Sequence, residues 1–146
     1  MRQIREGVFE TNSSSVHTIT FSQEGLEPSR LPIDPITNKV IGRFGKFGRD
    51  VNCYDSQEDK LAYMLTCCAY NVGEDDRIYD HWLFEEVEKI IKEYCHCDGL
   101  EIDFSSRAYL DHQSIPEYDF DLFYPEPENI KNFIFNKNIR LTTCSD

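Results

Sequence analysis

A single α+β domain, with a small, mainly antiparallel sheet packed by two to three helices, is the fold that three features of this sequence predict. Short stretches such as Val16 to Phe21 and Leu100 to Phe104 alternate apolar and polar residues, the period of a strand. Longer stretches repeat apolar residues every three or four positions, the period of an amphipathic helix. The 146 residues, 40% hydrophobic and 29% charged, show no internal repeat and have the composition of a folded chain. A chain of this size can bury a core without a metal or disulfides, so one domain over residues 1–146 is expected.

Taken in order, Val16 to Phe21 puts His17, Ile19 and Phe21 on one face and Val16, Thr18 and Thr20 on the other. Glu24 to Pro35 carries three prolines and reads as loop. Asn38-Lys39, between Ile36 and Val40-Ile41, can turn a short hairpin. GRFGKFGR, residues 42–49, interleaves cations with aromatics. It reads either as a single-strand grip or as a loop that tucks its phenylalanines into the core.

A first helix is expected from Asp55, where Asp55-x-x-Glu58 has the logic of a capping box, with Leu61, Met64, Leu65 and Cys68 on its apolar stripe. A second should span Tyr79 to Tyr94, with Leu83, Phe84, Val87, Ile90, Ile91 and Tyr94 inward and Glu85 and Glu86 among the outward residues, ended by Asp98-Gly99. Leu100 to Phe104 follows as a strand with Leu100, Ile102 and Phe104 inward. A short helix from Pro127 to Phe135 and a strand from Ile139 to Thr143 close the chain.

Charge is unevenly distributed. Met1 to Tyr54 holds seven Lys/Arg against six Asp/Glu, whereas Glu74 to Glu128 holds seventeen Asp/Glu against four Lys/Arg. Phosphate contacts need cations, so direct binding of duplex DNA is disfavoured and a partner with a basic surface is favoured; solubility alone also accounts for such a charge. In EYDFDLFY, residues 117–124, a strand would align Glu117, Asp119 and Asp121 along one face at about 6.6–6.8 Å spacing. That row can imitate a phosphate track, or simply form the wet face of an edge strand.

No apolar run approaches the roughly eighteen residues that span a bilayer, and Met1 to Phe9 has no signal-peptide core, so the expected location is cytoplasmic, with no membrane partner. Six cysteines are then expected as free thiols. Cys95-His96-Cys97 lacks the second ligand pair of a structural zinc site, and neither metal nor cofactor is expected.

FETNSSSVH, residues 9–17, and DHQS, residues 111–114, together supply hydroxyls, imidazoles and carboxylates. If Tyr109 to Ser114 lay beside Val16 to Phe21, then Ser13, Ser14 or Ser15 with His17, Asp111 and His112 could form a nucleophile, base and orienting group. The same residues also suit a tight turn entering a strand, with His17 in the core.

REGVFETNSSSVHTI, the glycine-phenylalanine segment leading to DKLAYMLT, DHQS and the NFIFNKN tail together resemble an uncharacterised family found in bacteriophages and phage-bearing Firmicutes. The resemblance covers most of the chain; it departs at Lys46, where a tryptophan is expected. It implies a phage setting and assigns no residue a role. Together with small size and concentrated acidity, the phage setting favours a host-takeover or counter-defence protein, by analogy with how small acidic phage proteins act and not by a motif. Such a protein would be an anti-CRISPR-like inhibitor, a nucleic-acid mimic whose Glu85, Glu86, Glu117, Asp119 and Asp121 occupy a basic groove of a host nuclease such as a CRISPR effector. The alternative is a small hydrolase or transferase built on Ser13, Ser14, Ser15, His17, Asp111 and His112. A virion assembly protein is a third reading, and oligomeric state is left open.

Overall fold

The computed structural model describes residues 4–10, 15–22, 25–47, 52–110 and 128–145. In chain order they form β1 (Ile4–Glu10), β2 (Ser15–Ser22), β3 (Lys39–Gly42), β4 (Lys46–Phe47), β5 (Asn52–Tyr54) and α1 (Gln57–Val72). A 3₁₀ helix (Asp75–Asp80), α2 (Trp82–Cys95), β6 (Gly99–Ile102), β7 (Tyr109–Leu110), α3 (Glu128–Phe135) and β8 (Arg140–Ser145) follow. Helices and strands together give the α+β class.

The largest sheet has the order β1-β2-β8-β5 and is antiparallel at each pairing. β1 was not foreseen, because IREGVFE breaks its alternation with Gly7 and three charges. Two small parallel pairs, β3 with β6 and β4 with β7, depart from the expected antiparallel pattern. Parallel neighbours need a long crossover, and here the β3-to-β6 crossover carries α1, the 3₁₀ helix and α2.

The turn before β3 resembles the expected hairpin but is longer. Ile33 bridges Val40, Asp34 N–H donates to Lys39 O at 2.9 Å, and Asn38 takes a positive φ of 57°. Ile36 lies at the exposed tip and is no strand partner.

α1 starts one residue later than the Asp55 cap expected. Ser56 is the N-cap, its hydroxyl accepting from Asp59 N–H at 3.1 Å, and Gly73 closes the helix at φ 89°. Its stripe is buried as expected, Leu61, Met64, Leu65 and Cys68 all lying within the core. Gln57 pins the proline-rich loop to this helix: its amide donates to Pro28 O at 3.0 Å and its carbonyl accepts from Arg30 N–H at 2.6 Å.

α2 begins three residues later than expected, because Asp75–Asp80 winds as a separate 3₁₀ helix. His81 is its N-cap, with Nδ1 accepting from Leu83 N–H at 3.1 Å. Burial lowers the His81 pKa, which keeps the ring neutral and able to accept. Since the folded value lies below the unfolded one, His81 contributes stability above about pH 6.5 that is lost as pH falls from there through the folded value. His81→Asn, which can also cap, should remove this component from melting curves recorded between about pH 7 and about pH 5; an unchanged pH profile would show that the ring does not titrate against the cap. The left-handed C-cap is His96, φ 54°, not the expected Gly99, which opens β6.

The core lies where α1, α2 and α3 meet. Tyr63 and Phe133 are both buried with rings 6.3 Å apart, and Tyr94 stacks on Phe135 at 4.1 Å. Lys60 is also wholly buried: Nζ donates to Asn136 O at 2.8 Å and Ile139 O at 2.9 Å, fastening α1 to the turn between α3 and β8. Desolvation brings its pKa down to about 8, against the raising influence of Asp55 and Glu27.

Candidate functional site

The described acidic residues concentrate on the 3₁₀ helix, α2 and the loop after β6. Between Glu74 and Ala108 the chain carries eleven carboxylates and four cations. On α2, Trp82, Glu85, Glu86, Lys89 and Glu93 fall on one outward stripe at helical spacing, because Leu83, Phe84, Val87, Ile90 and Ile91 take the inward face. Glu85 is exposed and Glu86 half-buried, so the described pair of expected partner-binding residues does share one solvent-facing side.

Three aromatic side chains of this segment stay exposed: Tyr79 at 46%, Phe104 at 44% and, on the stripe itself, Trp82 at 39%. The inward position expected for Phe104 is therefore corrected. β6 ends at Ile102, since Asp103 Oδ1 takes the Ser105 N–H at 2.9 Å and turns the chain before Phe104 can continue the alternation. Phe104 packs against Phe44, 6.2 Å between centroids, and against Tyr79 at 6.0 Å and 72°. Tyr79 in turn meets Phe84 edge-on at 4.9 Å.

The loop that carries Phe104 is tied at two points to the segment after β3. Arg43 pairs with Asp103 at 2.9 Å, and Phe44 N–H donates to Ser106 Oγ at 2.9 Å. The Asp103 carboxyl is held below its usual range, first by the Ser105 hydroxyl and amide and then by Arg43. Next to Phe104 opens a shallow depression of about 610 Å³, lined by Glu74, Asp75, Asp76, Phe104 and Arg107. Burial raises the Tyr79 hydroxyl pKa above its ordinary value against the lowering influence of a hydrogen bond with the Ile102 backbone, and the charges of Glu101 and Glu88 add to the rise. Carboxylates thus surround a fixed aromatic pair.

No family model, curated protein or solved structure matches the chain. Among the described residues, no three His, Cys, Asp or Glu side chains are grouped to hold a metal, and no helix is long and apolar enough to cross a membrane.

The other expected site residues are distributed as follows. Glu117, Asp119, Asp121, Asp111, His112, Ser13 and Ser14 lie outside the described residues. Ser15 opens β2, and His17 stands opposite Phe9 of β1 and Thr143 of β8. β2 therefore has β1 on one side and β8 on the other, while Tyr109–Leu110, just before Asp111, pairs with Lys46–Phe47. The strand pairing that would have placed DHQS beside His17 is not the one these two residues make.

Phe44 and Phe47 of the GRFGKFGR segment are 6% and 3% exposed, so they serve the core and are not available to stack on bases. A cleft of about 300 Å³ remains beside them, lined in part by Arg43, Lys46, Tyr54, Glu58 and Asp59, with both charge signs mixed. Cys95 contacts Ser29 through its Sγ at 3.2 Å, whereas the Cys97 thiol is directed at the Gly99 and Ile91 carbonyls. The two thiols flanking His96 thus have different surroundings.

Tyr79, Phe104 and the Glu74–Asp76 carboxylates were not singled out as functional from sequence. A signal for Phe104 was present in Asp103-Phe104-Ser105-Ser106, whose side chains favour a turn over a continued strand.

Proposed function

We propose that this chain is an acidic binding protein that engages a basic protein surface. Its partner class is a nucleic-acid-handling host protein, such as a CRISPR effector nuclease, and its mode of action is occupation of the groove meant for nucleic acid. The observation that carries this reading is the pairing of exposed, mutually packed aromatics with the Glu74, Asp75 and Asp76 carboxylates beside Phe104, within a segment that holds eleven carboxylates against four cations. Exposed aromatics supply contact area that a purely solubilising face does not need, and fixed negative charge steers and selects a cationic partner. The resemblance of the N-terminal and DHQS segments to phage proteins is the support for the narrower nuclease assignment.

Affinity capture from a host lysate tests the reading. A nucleic-acid-handling protein should be retained at about 50 mM salt and released at about 500 mM, where the Debye length has shrunk below the spacing of most charge pairs. The variant Glu85→Lys/Glu86→Lys should fail to retain it. Retention that neither salt nor the variant disturbs would contradict the proposal.

A further inference from the structure

Resting on that binding reading, we infer that the depression beside Phe104 is the anchor point of the face and that it takes an arginine side chain of the partner in preference to lysine. The Phe104 ring is exposed at the depression wall and cannot easily swing away, since Phe44 and Tyr79 pack against it and the Arg43–Asp103 pair and the Phe44–Ser106 hydrogen bond hold its loop. A guanidinium is flat, weakly hydrated and able to stack on an aromatic face while its N–H groups reach carboxylates in plane; an ammonium does only the second well.

Both requirements are met here. Glu74, Asp75 and Asp76 line the same depression, and Glu88 and Glu101 lie close enough to Tyr79 to bear on its hydroxyl. Of the three that line the depression, Asp75 already has a backbone partner, accepting from Ala108 N–H at 3.1 Å, and near Tyr79 Glu88 likewise accepts from Leu100 N–H at 3.1 Å, which orients both carboxylates. Against the three carboxylates that line the depression stands one lining cation, Arg107, so the local charge still favours a cationic guest. The occupant that fits apolar wall and anionic rim together is an arginine-bearing segment of a basic protein.

The test uses two synthetic probes of equal length and charge, nonaarginine and nonalysine peptides, titrated into the full chain by fluorescence anisotropy at low salt. The chain should bind the arginine peptide about fivefold more tightly. Phe104→Leu, which keeps an apolar side chain but removes the ring face, should reduce that ratio toward one, the arginine peptide losing more affinity than the lysine peptide; a melting curve confirms that the variant is folded. Equal binding of both peptides by the unaltered chain, or a ratio that survives Phe104→Leu, overturns the anchor while leaving the acidic binding face intact. Failure to bind either peptide overturns both.

Discussion

Replacing Lys60 with methionine is expected to lower thermal stability sharply. The substitution keeps roughly the length of the buried stem but removes both donors, so that Ile139 O and Asn136 O each lose their lysine partner. A buried polar group stripped of its partner costs about 1–3 kcal/mol, so the total should be about 2–4 kcal/mol, or roughly 5–15 °C in Tm for a domain of this size. The pH dependence carries the more specific signature. Folding lowers the lysine pKa to about 8, so the unfolded chain binds the extra proton between there and about 10.4, and the stability contributed by this site rises with pH across that window. The neutral amine still has two hydrogens for the two carbonyls, so deprotonation relieves desolvation without breaking the fastening. Buried thiols act in the opposite sense, since burial raises Cys68 and Cys95 and penalises the fold as pH climbs. The readout is therefore the Tm difference between the parent chain and Lys60→Met, which should widen between about pH 7 and about pH 10. A gap that stays constant would show that Lys60 titrates as a solvated lysine.

Glu85→Lys/Glu86→Lys should weaken binding to a basic partner by roughly 30-fold at low salt, about 2 kcal/mol, because each reversal removes one attraction and adds one repulsion of about 0.5 kcal/mol at a solvent-facing site. Stability should change much less. Glu85 lies in the first turn of α2, where a negative charge suits the helix dipole, so losing it costs about 0.3–1 kcal/mol. The neutral pair Glu85→Gln/Glu86→Gln should show about half the binding loss in free energy. At about 1 M salt all three proteins should converge, since the screening length is then about 3 Å. Titration calorimetry with the captured partner measures this, and equal affinities at low salt would remove α2 from the binding face.

The helices were legible in the sequence because each carries a complete apolar stripe within one short window. Leu61 to Cys68 and Leu83 to Ile91 are buried as their spacing requires. Boundaries were less legible: Ser56 and Asp55 are both good caps, one residue apart, and a histidine capping α2 gives no pattern that distinguishes it from a helical residue. The parallel pairs could not be read locally, because β3 meets β6, and β4 meets β7, only after about sixty intervening residues have folded back. Lys60 sits next to Leu61 and looks like an ordinary outward lysine until the turn after α3 is placed over it.

For the binding face, sequence showed the charge but not the aromatics. Glu85 and Glu86 follow from helical spacing alone. Tyr79 and Phe104 look like core residues in a one-dimensional pattern, and only the 3₁₀ winding of Asp75–Asp80 and the Asp103 turn leave them at the surface together.

The most direct test of the acidic aromatic face is a map of backbone amide chemical-shift changes as the isotope-labelled chain is titrated with the nonaarginine peptide at low salt. The shifts should cluster between Glu74 and Phe104, be largest around Tyr79 and Phe104, and fade as salt is added. Shifts clustered instead around the Arg43–Asp59 cleft, or along β1 and β2, would place binding elsewhere and contradict the account.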